Sequence, residues 1–364
     1  MNTLGLYFHV PFCAKKCAYC SFYSGAYSGR TAQDYVSAVV RNLRHYSDKS
    51  RITDTVYFGG GTPSLLSAAQ LREILTTAAE YFFIADNAEI TLEANPCTLS
   101  PQKLLQLRDI GINRLSIGVQ SLNDEELRFL GRGHTAERAK KAVHDAHAAG
   151  FENISCDLMI ALPRQTPDTL SYSIQRLYAL PIQHVSAYIL KIEEGTAFDC
   201  GDVRNALPSE DESAELYLKM VTELESQGFN QYEVSNFALS GFESRHNCRY
   251  WKCSDYLGIG PSAHSCFDGK RFAANCTTDE FISANIQPTV ITDEAPCGFE
   301  EFAMLRLRLK EGLHLADVPD HSEEIRGKLP PLIREGYVTF NGETVSLTPK
   351  GFLMSNQVIS YIIF

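Results

Sequence analysis

Three cysteines stand close together near the start of the chain, Cys13, Cys17 and Cys20, in the spacing C-x-x-x-C-x-x-C. Three thiolates on one short loop can hold three irons of a cubane [4Fe–4S] cluster, whereas a fully ligated electron-transfer cluster uses four cysteines. The missing fourth ligand leaves one iron with an open position, as catalytic metal sites do. The alternative for this triplet is a zinc ion completed by His9, although zinc motifs more often pair separated C-x-x-C units. The chain holds 11 cysteines in 364 residues, an odd number at irregular spacing. It is too long for a disulfide-stapled mini-domain, so clustered cysteines point to metal or catalysis. Cys97, Cys156, Cys200, Cys276 and Cys297 are scattered and are expected to act as small buried hydrophobes.

Further along, the other residues with chemical potential follow segments that read as strands. Gly59-Gly60-Gly61 comes directly after the β-prone run 54–58. A glycine-rich turn there exposes backbone amides and carbonyls. It does not match a phosphate loop, because no Gly-Lys-Ser/Thr follows. Glu93 closes the next strand-like run, and Gln120, Arg132 and Asp157 lie at or beyond the two after it. One polar side chain at a strand end is commonplace. Several on one face of a sheet make a site.

For these groups to meet, the strands carrying them must be parallel and neighbouring. Residues 4–10, 54–58, 89–93, 114–119, 153–161 and 184–190 read as strands, and 32–46, 67–82, 101–109, 136–149 and 166–178 as the helices between them. Six strand–helix units of about thirty residues imply right-handed crossovers in a parallel sheet. A partial (β/α)6 barrel fits better than a doubly wound sheet, since polar and glycine-rich segments follow nearly every strand. In a barrel those ends share one face.

The barrel core is expected over residues 1–195. An extension follows over 196–295, with an amphipathic helix at 211–227 and an irregular stretch at 229–276. Residues 296–364 read as a small winged-helix-like α+β domain, in which helices around 299–309 and 323–335 precede two alternating runs. Asn341-Gly342 between those runs is a strong hairpin signal. This domain lacks a basic recognition helix and the chain carries a formal net charge of −11, so nucleic acid is not an expected partner. No basic-then-apolar leader opens the sequence, and no run reaches the roughly 18 apolar residues of a membrane span. A cytoplasmic protein is the expectation. Residues 358–364 are expected to pack on the C-terminal domain rather than to make a peripheral membrane contact.

The cysteine triplet directly after a first strand resembles the radical S-adenosylmethionine (SAM) superfamily. The resemblance implies that the open iron binds the amino and carboxylate groups of SAM. An electron from the cluster then cleaves SAM to methionine and a 5′-deoxyadenosyl radical, while the protein positions the cofactor and excludes water. Tyr7-x-His9-x-Pro11-Phe12-Cys13, Tyr57-Phe58-Gly59-Gly60-Gly61-Thr62-Pro63, Glu93-Ala94-Asn95-Pro96 and Ser116-Ile117-Gly118-Val119-Gln120-Ser121 are similar to the oxygen-independent coproporphyrinogen III oxidase group. By position, that resemblance implies SAM contacts at Tyr7, Gly60, Gly61, Thr62, Glu93, Gln120, Arg132 and Asp157.

Dehydrogenases of that group carry a further cysteine two residues after the third ligand, and an N-terminal extension. Here the position is Phe22, and only twelve residues precede Cys13. Both features resemble the HemW-type heme chaperones, and His246-Asn247-Cys248-Arg249-Tyr250-Trp251 is similar to their H-N-x-x-Y-W motif. The resemblance implies a protein that binds heme and passes it to acceptor proteins such as respiratory enzymes. Its cluster and SAM site would serve assembly, homodimer formation or redox gating. A histidine beside large aromatics can ligate heme iron or flank a porphyrin, so His246 is an expected heme contact, with Cys248 and Cys253 as alternative soft ligands. The plainer reading is that Tyr250 and Trp251 cap the barrel. The competing function is radical oxidative decarboxylation of coproporphyrinogen III to protoporphyrinogen IX.

Overall fold

The computed structural model describes residues 3–364. Six parallel strands run in chain order through the middle of a twelve-stranded sheet: β1 (Thr3–Val10), β2 (Asp48–Gly60), β3 (Phe82–Ala94), β4 (Arg114–Gln120), β5 (Ile154–Ile160) and β6 (His184–Ile189). Their sequences carry two interleaved sets of residues. Phe58, Leu92, Ile117, Cys156 and Val185 belong to the buried apolar core. The positions between them are polar: Thr91, Glu93, Ser116, Asp157 and Ser186. Side chains alternate along a strand, so the apolar set meets the surrounding helices and the polar set points inward. Each fully buried large aliphatic side chain contributes about 1.5–3 kcal/mol, which makes the outer layer the source of stability and leaves the inner face free for chemistry. This is the partial (β/α)6 barrel expected from the sequence.

Helices Gly29–His45, Ala68–Tyr81, Pro101–Asp109, Ala136–Ala148 and Pro167–Tyr178 return the chain between strands. Each starts where a hydroxyl can satisfy a free backbone N–H. Ser28, Ser67, Ser100, Thr135 and Thr166 all accept from their first helical turn, worth about 1 kcal/mol per cap.

Residues 229–276, expected to be irregular, instead extend the sheet. Asn236–Ala238 pairs antiparallel with β6, and Tyr256–Ile259 pairs parallel with β1. A meander of His264–Phe267, Lys270–Ala273 and Val290–Asp293 continues from there. Strands of three or four residues, interrupted by Gly258 and Gly260, show no alternation long enough to read. They form because the edges of the parallel core present unpaired N–H and C=O groups.

In the C-terminal module the helices Phe299–Arg306 and Ser322–Arg334 accompany a three-stranded sheet of Leu313–His314, Val338–Phe340 and Thr344–Leu347. The hairpin turns at Asn341-Gly342. The Asn341 side chain accepts from the Glu343 and Thr344 amides, and Gly342 takes φ of 99°. The last helix, Ser355–Ile363, buries Val358, Ile359, Ile362 and Ile363. Among the described residues no helix is long and apolar enough to cross a membrane.

Candidate cluster and cofactor site

A cavity of about 410 Å³ opens at the C-terminal ends of the strands, between the cysteine loop and the polar face of the sheet. Cys13, Cys17 and Cys20 all line it. The loop is pinned at its root by backbone bonds. The Gly61 amide donates to the Val10 carbonyl at 2.9 Å and the Thr62 amide to the Phe12 carbonyl at 2.7 Å. This close approach requires glycine: a Cβ on Gly61 would lie 2.6 Å from the Phe12 carbonyl oxygen. Gly60 takes φ of 105°, and a Cβ there would meet the His9 ring at 2.7 Å.

The donors around the cysteines fit thiolates. Arg132 donates from Nη1 to Cys17 Sγ at 3.2 Å and from Nη2 to the Gly118 carbonyl at 2.9 Å. The Thr62 hydroxyl donates toward Cys13 Sγ at 3.6 Å. Hydrogen bonds to ligand sulfurs stabilise a cluster and tune its potential. Burial pushes the Cys20 thiol up, and bound iron would offset that by taking the thiolate. The mononuclear zinc alternative does not fit. His9 is already engaged, its Nε2 donating to the Tyr23 carbonyl at 2.9 Å and its Nδ1 accepting from the Tyr7 hydroxyl at 3.3 Å. Among the described residues no three His, Cys, Asp or Glu side chains converge tightly enough for a single metal ion. A cubane, whose iron corners are separated, makes no such demand on the three cysteines. The donor set fits a [4Fe–4S] cluster.

Opposite the cysteines stand two carboxyls. Glu93 accepts from the Tyr57 hydroxyl at 2.8 Å and from the Gly60 amide at 3.2 Å. Burial pushes its carboxyl up to about 7, and the nearby Asp157 adds to this against the two hydrogen bonds. Asp157 is likewise raised by burial, while it accepts from the Ser116 hydroxyl at 2.9 Å. A cationic ligand entering the cavity would favour the charged form of both. An amino acid bearing an ammonium and a sulfonium, as SAM does, matches that wall. Gln120 is aimed into the cavity from a left-handed backbone, φ 66°, where the pairing of β4 with β5 shifts register. Such strained non-glycine residues cluster at ligand sites.

Most of the residues singled out from the sequence line this one cavity: the three cysteines, Gly60, Gly61, Thr62, Glu93, Gln120, Arg132 and Asp157. Tyr7 and His246 do not. Tyr7 stacks on Tyr57 with ring centroids 6.0 Å apart and bonds His9. His246 lies fully buried at the start of helix Arg245–Trp251. Its Nδ1 meets the Thr55 hydroxyl at 2.9 Å and its Nε2 the Tyr250 hydroxyl at 2.9 Å. The His246 backbone N–H donates to Glu89 at 3.0 Å, so the helix plugs the barrel from below. Burial, with the Arg249 charge, lowers the imidazole pKa to about 3. Both ring nitrogens are hydrogen-bonded in this arrangement, and His246 lies apart from the cluster cavity. Two residues that matter for the site stand in the quoted motifs without a role of their own: Tyr57, which holds Glu93, and Ser116, which holds Asp157. The two-residue alternation that puts Glu93 and Asp157 inside could have found both.

A larger cavity of about 620 Å³ lies by the N-terminal ends of the strands, beside Cys248 and Arg249. Three of its cations are already paired, Arg245 and Arg249 with Asp54 and Lys252 with Glu311. Burial pushes the Cys248 thiol up to about 12. Size alone does not make it the site, because most of its charged groups already pair with one another.

Fold and site together define a radical SAM protein. The Radical SAM superfamily model matches residues 7–177 and the HemN C-terminal domain model residues 299–354. The chain is 35% identical over 363 residues to heme chaperone HemW of Lactococcus lactis subsp. lactis, covering 97% of this chain and 95% of that protein. It is 33% identical over 372 residues to heme chaperone HemW of Escherichia coli K12, covering 99% and 98%. The structure of coproporphyrinogen III oxidase (HemN) from Escherichia coli superposes with a TM-score of 0.81, at 22% identity, over 100% of this chain and 90% of that one. At that identity it is a likeness of fold. The chain belongs to the HemW family of heme chaperones.

Proposed function

We propose that this protein binds heme in the cytoplasm and delivers it to acceptor proteins, respiratory enzymes among them, and that its cluster site gates the transfer. The observation that carries this reading is the similarity to heme chaperones along almost the whole chain. Phe22 supports it. It lines the cavity, 66% exposed, where the resembled dehydrogenases carry a further cysteine. In this reading Cys13, Cys17 and Cys20 hold the [4Fe–4S] cluster, and Gly60, Gly61, Thr62, Glu93, Gln120, Arg132 and Asp157 hold SAM. When bound, the two supply one-electron chemistry. The residues of the chain orient them, keep the Glu93 and Asp157 carboxyls desolvated, and keep Arg132 against Cys17.

The test divides one anaerobically reconstituted sample. One half receives heme and is followed by its Soret band. The other receives SAM, a reductant and coproporphyrinogen III, with protoporphyrin and 5′-deoxyadenosine assayed. Heme binding without decarboxylation is expected, followed by transfer to an apo-acceptor. Turnover to protoporphyrinogen would make the protein an enzyme instead. Cys17→Ser should lose the brown cluster absorbance and stay folded.

A further inference from the structure

Three other cysteines meet far from the cluster loop. Cys253 follows helix Arg245–Trp251, Cys266 lies in the strand His264–Phe267, and Cys297 sits on the segment entering the C-terminal module. The Cys297 thiol donates toward the Cys253 carbonyl, sulfur to oxygen 4.0 Å, and the thiols of Cys253 and Cys266 are close enough to shift its ionisation. All three are free thiols. The expectation that Cys297 is an isolated buried hydrophobe does not survive this contact: it is only half-buried and lies against Cys253.

The backbone also marks the pair. Cys253 takes φ of 52° and Cys297 φ of 66°. Residues with a Cβ are uncommon in that region, and two facing cysteines both occupy it. The surroundings are fixed by contacts across the same seam. Arg271 pairs with Glu301 at 2.8 Å, and Glu301 accepts the Cys297 amide at 2.6 Å. The three thiols do not converge on a single point that would hold a metal ion, so their chemistry is pairwise.

We propose that Cys253 and Cys297 form a reversible disulfide that fastens the C-terminal module to the barrel, formed by exchange with low-molecular-weight disulfides. Cys253 attacks as thiolate on one sulfur of the small disulfide and expels one small thiol, leaving a mixed disulfide. The Cys297 thiolate then attacks the Cys253 sulfur and expels the second. Two protein thiols are oxidised, one small disulfide is reduced to two thiols, and the two protons leave with them. The hydrogen bond from Cys297 holds the Cys253 thiol below its ordinary range, which favours it as the attacking group. Cys266 is buried and pushed up, first by its bond with Cys297 and then by burial, so it stays protonated.

The experiment equilibrates the reconstituted protein anaerobically in glutathione buffers of rising disulfide fraction. Free thiols are then trapped with iodoacetamide and the protein is digested without reduction for mass spectrometry. The expected product is one cross-linked peptide joining Cys253 and Cys297, lighter by two hydrogens. Alkylation at both should fall by more than about tenfold as the buffer becomes oxidising. The exposed, solitary Cys97 and Cys200 serve as controls that form only mixed disulfides. Cys297→Ser should abolish the cross-link and leave Cys253 carrying glutathione. The proposal is overturned if both cysteines stay alkylated at every ratio, or if a different pair is joined. The mapping on the unaltered protein decides this even where the variant folds poorly.

Discussion

Replacing Glu93 by glutamine (E93Q) removes a carboxyl that the cavity holds at the edge of ionisation. Burial raises this group from an ordinary 4.5 to about 7 in the folded chain, so the fold binds the proton more tightly than the unfolded chain does. The proton therefore stabilises the fold. Its contribution is fully present below 4.5 and is lost as pH rises through about 7. At about 1.4 kcal/mol per unit, the loss amounts to about 3 kcal/mol, an upper figure because the side chain faces the cavity. Glutamine cannot ionise; its one oxygen can accept from the Gly60 amide, while its NH2 group faces the Tyr57 hydroxyl, which can turn to accept from it. With cluster and SAM removed, anaerobic urea unfolding should find E93Q more stable than the parent by about 2–3 kcal/mol near pH 8.5, shrinking below about 1 kcal/mol near pH 5. An equal gap at both pH values, or a less stable E93Q at the higher one, would refute the reasoning. In reconstituted protein the same change should weaken SAM binding by about tenfold or more, the worth of one charge-assisted hydrogen bond.

Arg132→Ala removes the donor to Cys17 Sγ; an EPR-monitored titration should show the cluster potential falling by on the order of tens of millivolts, and an unchanged potential would count against the contact. Gly61→Ala forces a Cβ against the Phe12 backbone, so iron per chain should drop sharply while the circular dichroism of the barrel stays the same. Unchanged iron content would mean that the loop root yields easily. His246→Ala removes a buried ring with two hydrogen bonds and should cost about 2–4 kcal/mol in denaturant unfolding while the Soret band of added heme persists. A folded variant without that band would restore His246 as a ligand. Because burial lowers this imidazole from 6.5 to about 3, its contribution is present above 6.5 and lost as pH falls toward 3, so the stability gap between parent and variant should narrow in acid.

The local parts of this protein are legible in one dimension. Cys13, Cys17 and Cys20 stand within eight residues, so their spacing alone defines the ligand loop. The helix starts at Ser67 and Thr166 follow from hydroxyls whose partners lie within one turn. Glu93, Gln120 and Asp157 could be assigned to one face because strand ends in a right-handed parallel array fall together. What the tertiary structure alone decided depends on contacts between distant segments. The strand Tyr256–Ile259 exists because β1 leaves an unpaired edge, and nothing in its four residues demands it. His246 looks like a ligand beside its aromatic neighbours, yet Thr55 and Glu89, far earlier in the chain, occupy its polar atoms. Cys253 and Cys297 look scattered until the module entry brings the Cys297 sulfur against the Cys253 backbone. Spacing along the chain determines a site when its groups share one loop or one strand period. Where a polar group's partner comes from another segment, only packing reveals whether that group is free.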